Sequence, residues 1–171
     1  GLASDAEARP ADPVPQGVDR VSSVFVLPKV NEARMRLAAE LTARGIAVWT
    51  PGIWPEGMQR WGGPSAVRAF RAAVHIPYAP TTFALFENAQ AGLLTFIPSM
   101  QLMLSLYRAR GLFFQAPPTD FVSTGHATSE LSESLLAVTE WYDAHNAPCF
   151  VYFESLDDLA AKLHSTDYGG R

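Results

Sequence analysis

The sequence holds a single cysteine, Cys149, so no internal disulfide is possible. It has no Lys/Arg block, and its net charge is −4. That argues against nucleic acid as the main partner, because a phosphate backbone needs a concentrated basic face. No unbroken apolar run reaches membrane-spanning length. The longest, 89–107, is interrupted by Gln90, Gly92, Thr95, Pro98, Ser99, Gln101 and Ser105, so no membrane span is expected. GxGxxG and P-loop patterns are missing, as are His/Cys metal-binding spacings. His126, His145 and His164 show no ligand spacing, so no metal site is expected.

Enough apolar residues are present to build a core: 48% of the 171 residues are hydrophobic and 18% charged. That composition is globular, and the length suits one domain. Residues 1–20 contain Pro10, Pro13, Pro15 and Gly17 among small and acidic residues and read as a linker or arm. The ordered domain is expected over 21–171. Without disulfides, and with no secretory-signal pattern, a reducing, cytoplasmic setting is expected. The first residue is Gly1 rather than Met, so the sequence is read as a piece of a longer protein. Cys149, in the apolar run 149–153, is expected to be a buried structural thiol.

Periodicity predicts alternating strands and helices. A β-branched run at 21–27 forms strand one. Asn31 caps a helix striped by Leu37, Ala38 and Leu41 and stopped at Arg44-Gly45. Residues 46–50 form strand two. Strand, helix and strand make a βαβ unit, which implies a parallel sheet. A long loop at 51–64 carries Trp54 and Trp61 among prolines and glycines. Short strands are predicted near 73–76, 93–97, 112–114 and 150–153. Helices are predicted at 65–70, 81–91 and 99–110, on a stripe of Leu131, Leu135, Val138, Trp141 and Tyr142, and after the cap Ser155. The fold class is α/β: a Rossmann-like parallel sheet with helices on both faces.

Chemistry concentrates in 75–99. A strand ends near Pro77, and a rigid turn through Tyr78, Ala79 and Pro80 delivers the chain into a helix opening with Thr81, Thr82 and Phe83. Unpaired N–H groups and the helix dipole make such a start an anion site, and two threonine hydroxyls add donors. Open α/β sheets bind ligands at this end of a parallel strand. Glu87 lies five residues past Thr82, a rise of roughly 7.5 Å. Its side chain leans back toward the helix start. A carboxylate there could accept from a sugar diol while the helix start holds an attached diphosphate. The plainer alternative, a capping threonine and a solvated glutamate, stays open on spacing alone. Lys29, just after strand one, could face a phosphate, and Tyr78 and the tryptophans could stack on a base. His75 reads as a strand residue.

These residues carry a resemblance. Residues 77–99, with 28–63 before them, resemble the C-terminal, nucleotide-sugar-binding half of two-domain (GT-B) glycosyltransferases. The resemblance implies that Thr81, Thr82 and Phe83 stand at the diphosphate-binding helix start and that Glu87 binds the donor ribose. Ala91-Gly92 and the apolar strand ending at Pro98 complete the motif, and 152–159 is similar to the family's closing strand and helix. The donor would be a nucleoside diphosphate sugar, with no further cofactor. Lys29, Arg60 and Arg68 are candidates for the basic phosphate partner. Many members carry a second glutamate where this chain has Ala79. The acceptor and any catalytic base would belong to a separate N-terminal Rossmann-like domain, so this chain alone is expected to be inactive and no catalytic residue is assigned. Two alternatives remain open: a non-catalytic Rossmann-like module binding a nucleotide or a protein, and an enzyme similar to nucleoside deoxyribosyltransferases with Glu87 as its acid.

Overall fold

The computed structural model describes residues 23–27, 29–50, 67, 70–115 and 131–166, with side chains omitted at 83–85. The predicted linker at 1–20, the loop at 51–64, and Arg60 and Arg68 fall outside these residues.

Among the described residues, five strands form one sheet in the order β2-β1-β3-β4-β5, every neighbouring pair parallel. They are β1 (Ser23–Val26), β2 (Ala47–Trp49), β3 (Ala72–Val74), β4 (Leu94–Pro98) and β5 (Phe150–Phe153). The described helices are α1 (Val30–Met35), α2 (Leu37–Ala43), α3 (Phe83–Gln90), α4 (Met100–Arg110), α5 (Glu133–Ala137) and α6 (Leu156–Ser165). The chain is therefore a Rossmann-like α/β domain, with the flavodoxin-like variant of strand order.

The strands are short apolar runs because both faces of a parallel sheet are covered. Alternation along β1 shows the division. Val24 and Val26 join one core with Leu37, Leu41, Met103, Leu159 and Leu163, whereas Phe25 and Leu27 join another with Val67, Phe70 and Ala73. Edge strand β2 is the least buried. Among the described residues no helix is long and apolar enough to cross a membrane.

Several expectations need correction. The helix after β1 is broken at Arg36, whose left-handed backbone (φ 51°) separates α1 from α2. Asn31 is not a cap. Lys29 holds the cap position, and Asn31 lies fully buried in the first turn. Residues 112–114 form no strand, because the amide and carbonyl of Phe113 bond to Asn31 instead of to a neighbouring strand. The stripe at 131–142 breaks after α5, so Val138 stands 78% exposed while Trp141 is buried beyond the helix end. Cys149 is exposed, at the end of a 3-10 turn (Ala147–Cys149) leading into β5.

Helix α6 follows its sequence signals. Ser155 accepts from the Asp158 amide as its cap, and Asp157 and Asp158 fill the first turn. Hydrogen bonds from Lys162 and from the Glu154 amide hold the Asp158 carboxyl below its ordinary range. With its folded pKa below the unfolded one, Asp158 stabilises the fold above about pH 4, and the contribution disappears as pH falls through the folded value. Asp158→Asn should therefore cost roughly 0.5 kcal/mol at pH 7, scaled for its partial exposure. Denaturant titrations at pH 7 and pH 2 check this: the gap from wild type should vanish at the lower pH.

Candidate functional site

The strand order sets where a ligand would meet the sheet. The chain leaves β1 toward β2, returns past it to β3, and then moves outward to β4 and β5. The reversal lies between β1 and β3, and the crevice outside their carboxyl ends is where open α/β sheets bind ligands. Two segments meet there: Leu27 and Lys29, between β1 and α1, and 75–82 between β3 and α3.

The second loop is fixed by its own carbonyl groups. Asn31 Nδ2 donates to the Pro77 carbonyl at 2.9 Å, and the Gln115 amide to that of Tyr78 at 2.7 Å. Trp141 Nε1 donates to the Ala79 carbonyl at 2.6 Å, and the Glu140 amide to that of Pro80 at 3.1 Å. Four successive carbonyls thus have donors from three separate parts of the chain. Prolines at 77 and 80 already restrict φ, so little freedom remains.

The donors are themselves held. Asn31, fully buried, also donates to the Phe113 carbonyl and accepts from the Phe113 amide. Arg34 donates to the Gly111 carbonyl, fastening the same stretch to α1. The turn carrying Trp141 is tied to the sheet by Tyr142, which donates to the Pro98 carbonyl, and by Tyr152, which donates to the Trp141 carbonyl. Burial first, and the neighbouring Tyr152 second, push the Tyr142 phenol upward, so it remains a donor.

Beneath the loop lies a buried acid–base pair. Glu32 and His75 are each 2% exposed, with Glu32 Oε1 2.7 Å from His75 Nδ1. The same oxygen accepts from the Ile76 amide at 2.8 Å. Oε1 thus has two partners on the β3 side. Glu32 Oε2 and His75 Nε2 are buried without a hydrogen-bond partner. The His75 ring packs on Trp141, with centroids 5.0 Å apart, and edge-on against Tyr78.

Of the residues singled out from sequence, the structure brings Lys29 and Tyr78 together. Exposed Lys29 places its ammonium 5.8 Å from the Tyr78 ring centroid, joining the two loops across the crevice. Thr82, extended and half-buried, occupies the cap position of α3 but makes no side-chain capping bond. The helix therefore starts at Phe83, later than expected. No acid occupies its first turn, and Thr81 is exposed. The Phe83 side chain is outside the described atoms. Glu87 is exposed further along α3, which closes before Gly92 in the left-handed backbone that glycine accepts. Ala79 is buried, its carbonyl engaged by Trp141. Among the described residues no cluster of three or more His, Cys, Asp or Glu could hold a metal ion.

Sequence reasoning missed Glu32 and the true role of Asn31. A signal was present: both lie three or four positions before buried Met35, so they share its inward helix face. Two polar residues on an apolar face imply buried partners.

Comparison with known proteins finds no matching family model, and no match among the curated proteins or the solved structures.

Removing one member of a buried pair leaves its partner uncompensated, which typically costs about 3–5 kcal/mol. Glu32→Ala should lose that much, whereas Glu40→Ala, breaking a part-exposed pair with Arg44, should lose under about 1 kcal/mol. Urea unfolding of both variants measures the difference, and equal losses would contradict a structural role for the buried pair.

Proposed function

We propose that this chain is the donor-binding domain of a two-domain, GT-B-type glycosyltransferase, taking a nucleoside diphosphate sugar. The observation that carries the reading is the start of α3. Its amides lack a side-chain cap and its first turn lacks an acid, yet the loop delivering it is fixed at four successive carbonyls. A rigid, donor-rich helix start beside the switch point suits a diphosphate.

In this reading the amides at the head of α3 and the hydroxyls of Thr81 and Thr82 hold the diphosphate, and Glu87 accepts from the ribose diol. Lys29 supplies positive charge from the β1 loop, and Tyr78 lines the crevice beneath it. As the sugar departs, the negative charge developing on the diphosphate is met by donors already in place, so little reorganisation is needed. The acceptor and the group that activates it belong to an N-terminal Rossmann-like domain of the full-length protein. The present chain alone should bind donor without transferring sugar.

One observation favours a second reading, a nucleotide-binding module without transferase activity. Residue 79, where many such transferases place an acid, is here a buried alanine. It cannot hydrogen-bond to a transferred sugar. A full-length protein that binds the donor but transfers nothing would support this alternative.

Calorimetric titration with UDP, GDP and ADP tests the site. The best-bound diphosphate should exceed its nucleoside by at least tenfold, about 1.4 kcal/mol. Glu87→Ala should weaken that diphosphate by about 1.5–3 kcal/mol, the range for hydrogen bonds to a charged group. Thr82→Val should narrow the tenfold gap with little change in melting temperature, since the hydroxyl makes no capping bond. Undiminished binding in both variants would remove them from the site.

A further inference from the structure

We infer a separate ligand site at the break between α1 and α2: a pocket that takes a short branched aliphatic carboxylate, held by Arg36. The pocket, about 310 Å³ in volume, is lined by residues at the carboxyl end of β1, by Thr50 after β2, and by both helices. Leu27, Leu37 and Ala38 give it apolar walls, and Glu32 and Arg36 are its charged residues. That size is at the lower end for small-molecule pockets.

Three observations converge on it. The first is the cavity. The second is that Arg36 is the one charged group with something to offer a ligand there. Glu32 lines the pocket without presenting an oxygen, because Oε1 is bonded to His75 and Ile76 and Oε2 is closed to solvent. Arg36 is exposed, and its side chain makes no hydrogen bond or ion pair to any described residue. Acids stand at helical spacing on either side of it, yet Glu32 turns to β3 and Glu40 pairs with Arg44 at 2.8 Å. The guanidinium therefore keeps its full set of donors and is free to turn to a ligand beside it. The third observation is the backbone of Arg36, the only non-glycine with positive φ among the described residues. Helices commonly end in this left-handed conformation on a glycine, which adopts it without strain. A larger side chain held there is strained, and such strain clusters at binding sites. The turn also separates the α1 residues lining the pocket, Glu32 and Ala33, from the α2 residues, Leu37 and Ala38.

The ligand class follows from these walls. The planar fork of an unpaired guanidinium matches a carboxylate, which accepts two parallel N–H bonds from it. One cation beside an apolar pocket balances a single negative charge. A short branched hydrocarbon of about six heavy atoms lies against Leu27, Leu37 and Ala38, within the size such a pocket admits. The inference does not depend on the sugar-transfer reading, because the probes below contain neither phosphate nor nucleoside.

Amide NMR titrations of the whole chain with 4-methylpentanoate, acetate and 4-methylpentan-1-ol test it. The branched carboxylate should bind saturably, shifting amides at 26–27, 32–39 and 50. It should bind at least tenfold more tightly than acetate, which lacks the hydrocarbon, and than the alcohol, which lacks the charge. Arg36→Gly and Arg36→Asn remove the guanidinium while accepting the left-handed backbone, so both should keep the melting temperature of wild type. Each should weaken 4-methylpentanoate by at least tenfold. Acetate binding as tightly as 4-methylpentanoate would reduce the site to a bare surface cation and overturn the proposal. So would alcohol binding equal to carboxylate binding, no saturable carboxylate shift in wild type, shifts confined to other segments, or undiminished affinity in either folded Arg36 variant.

Discussion

Everything at the carboxyl edge of the sheet depends on the buried polar residues of α1. Asn31 and Glu32 enter the interior at the point where the strand order reverses, and both reach across to the segment following β3. Burial makes each unmade hydrogen bond of an amide or carboxylate costly, and the bonds that Asn31 and Glu32 Oε1 do make hold the crossing loop in one arrangement. Asn31 makes three bonds, and through them it also decides that 111–113 runs as an irregular stretch against α1 instead of adding a strand.

From that constraint the candidate site follows. Pro77, Tyr78, Ala79 and Pro80 have their carbonyls taken by donors from α1, from 115 and from the turn at 138–146, so the chain arrives at α3 along a fixed path. The helix start it reaches carries no side-chain cap. Ser99, Ser132 and Ser155 cap α4, α5 and α6 with their hydroxyls, whereas α1, α2 and α3 begin without a side-chain cap.

Much of the architecture was legible in the sequence, for a physical reason. Parallel strands buried on both faces appear as short apolar runs, and the strands expected at 21–27, 46–50, 73–76, 93–97 and 150–153 overlap β1 to β5. The Ser155 cap and the glycines ending α2 and α3 are equally local. What escaped were choices made by distant partners. Phe113 and Phe114 read as a strand, yet Asn31, far away in sequence, claims the Phe113 backbone. Val138 continues the helical stripe but lies beyond the last turn, where Trp141 is drawn inward by the Ala79 carbonyl. Loop and helix grammar put forward Thr81, Thr82, Glu87, Lys29 and Tyr78 as candidates, of which the structure brings Lys29 and Tyr78 together. Glu32 was not, because its partners His75 and Ile76 reach it only through the β1–β3 pairing.

The central claim is that the start of α3 and the β1 loop together bind a nucleoside diphosphate. Mapping backbone amide shifts of the isolated chain during titration with UDP, GDP and ADP addresses it most directly. The account predicts saturable shifts with at least one of the three, largest at the amides of 81–85 and at Lys29. Shifts centred on other segments, or none with any of the three at millimolar concentration, would contradict it.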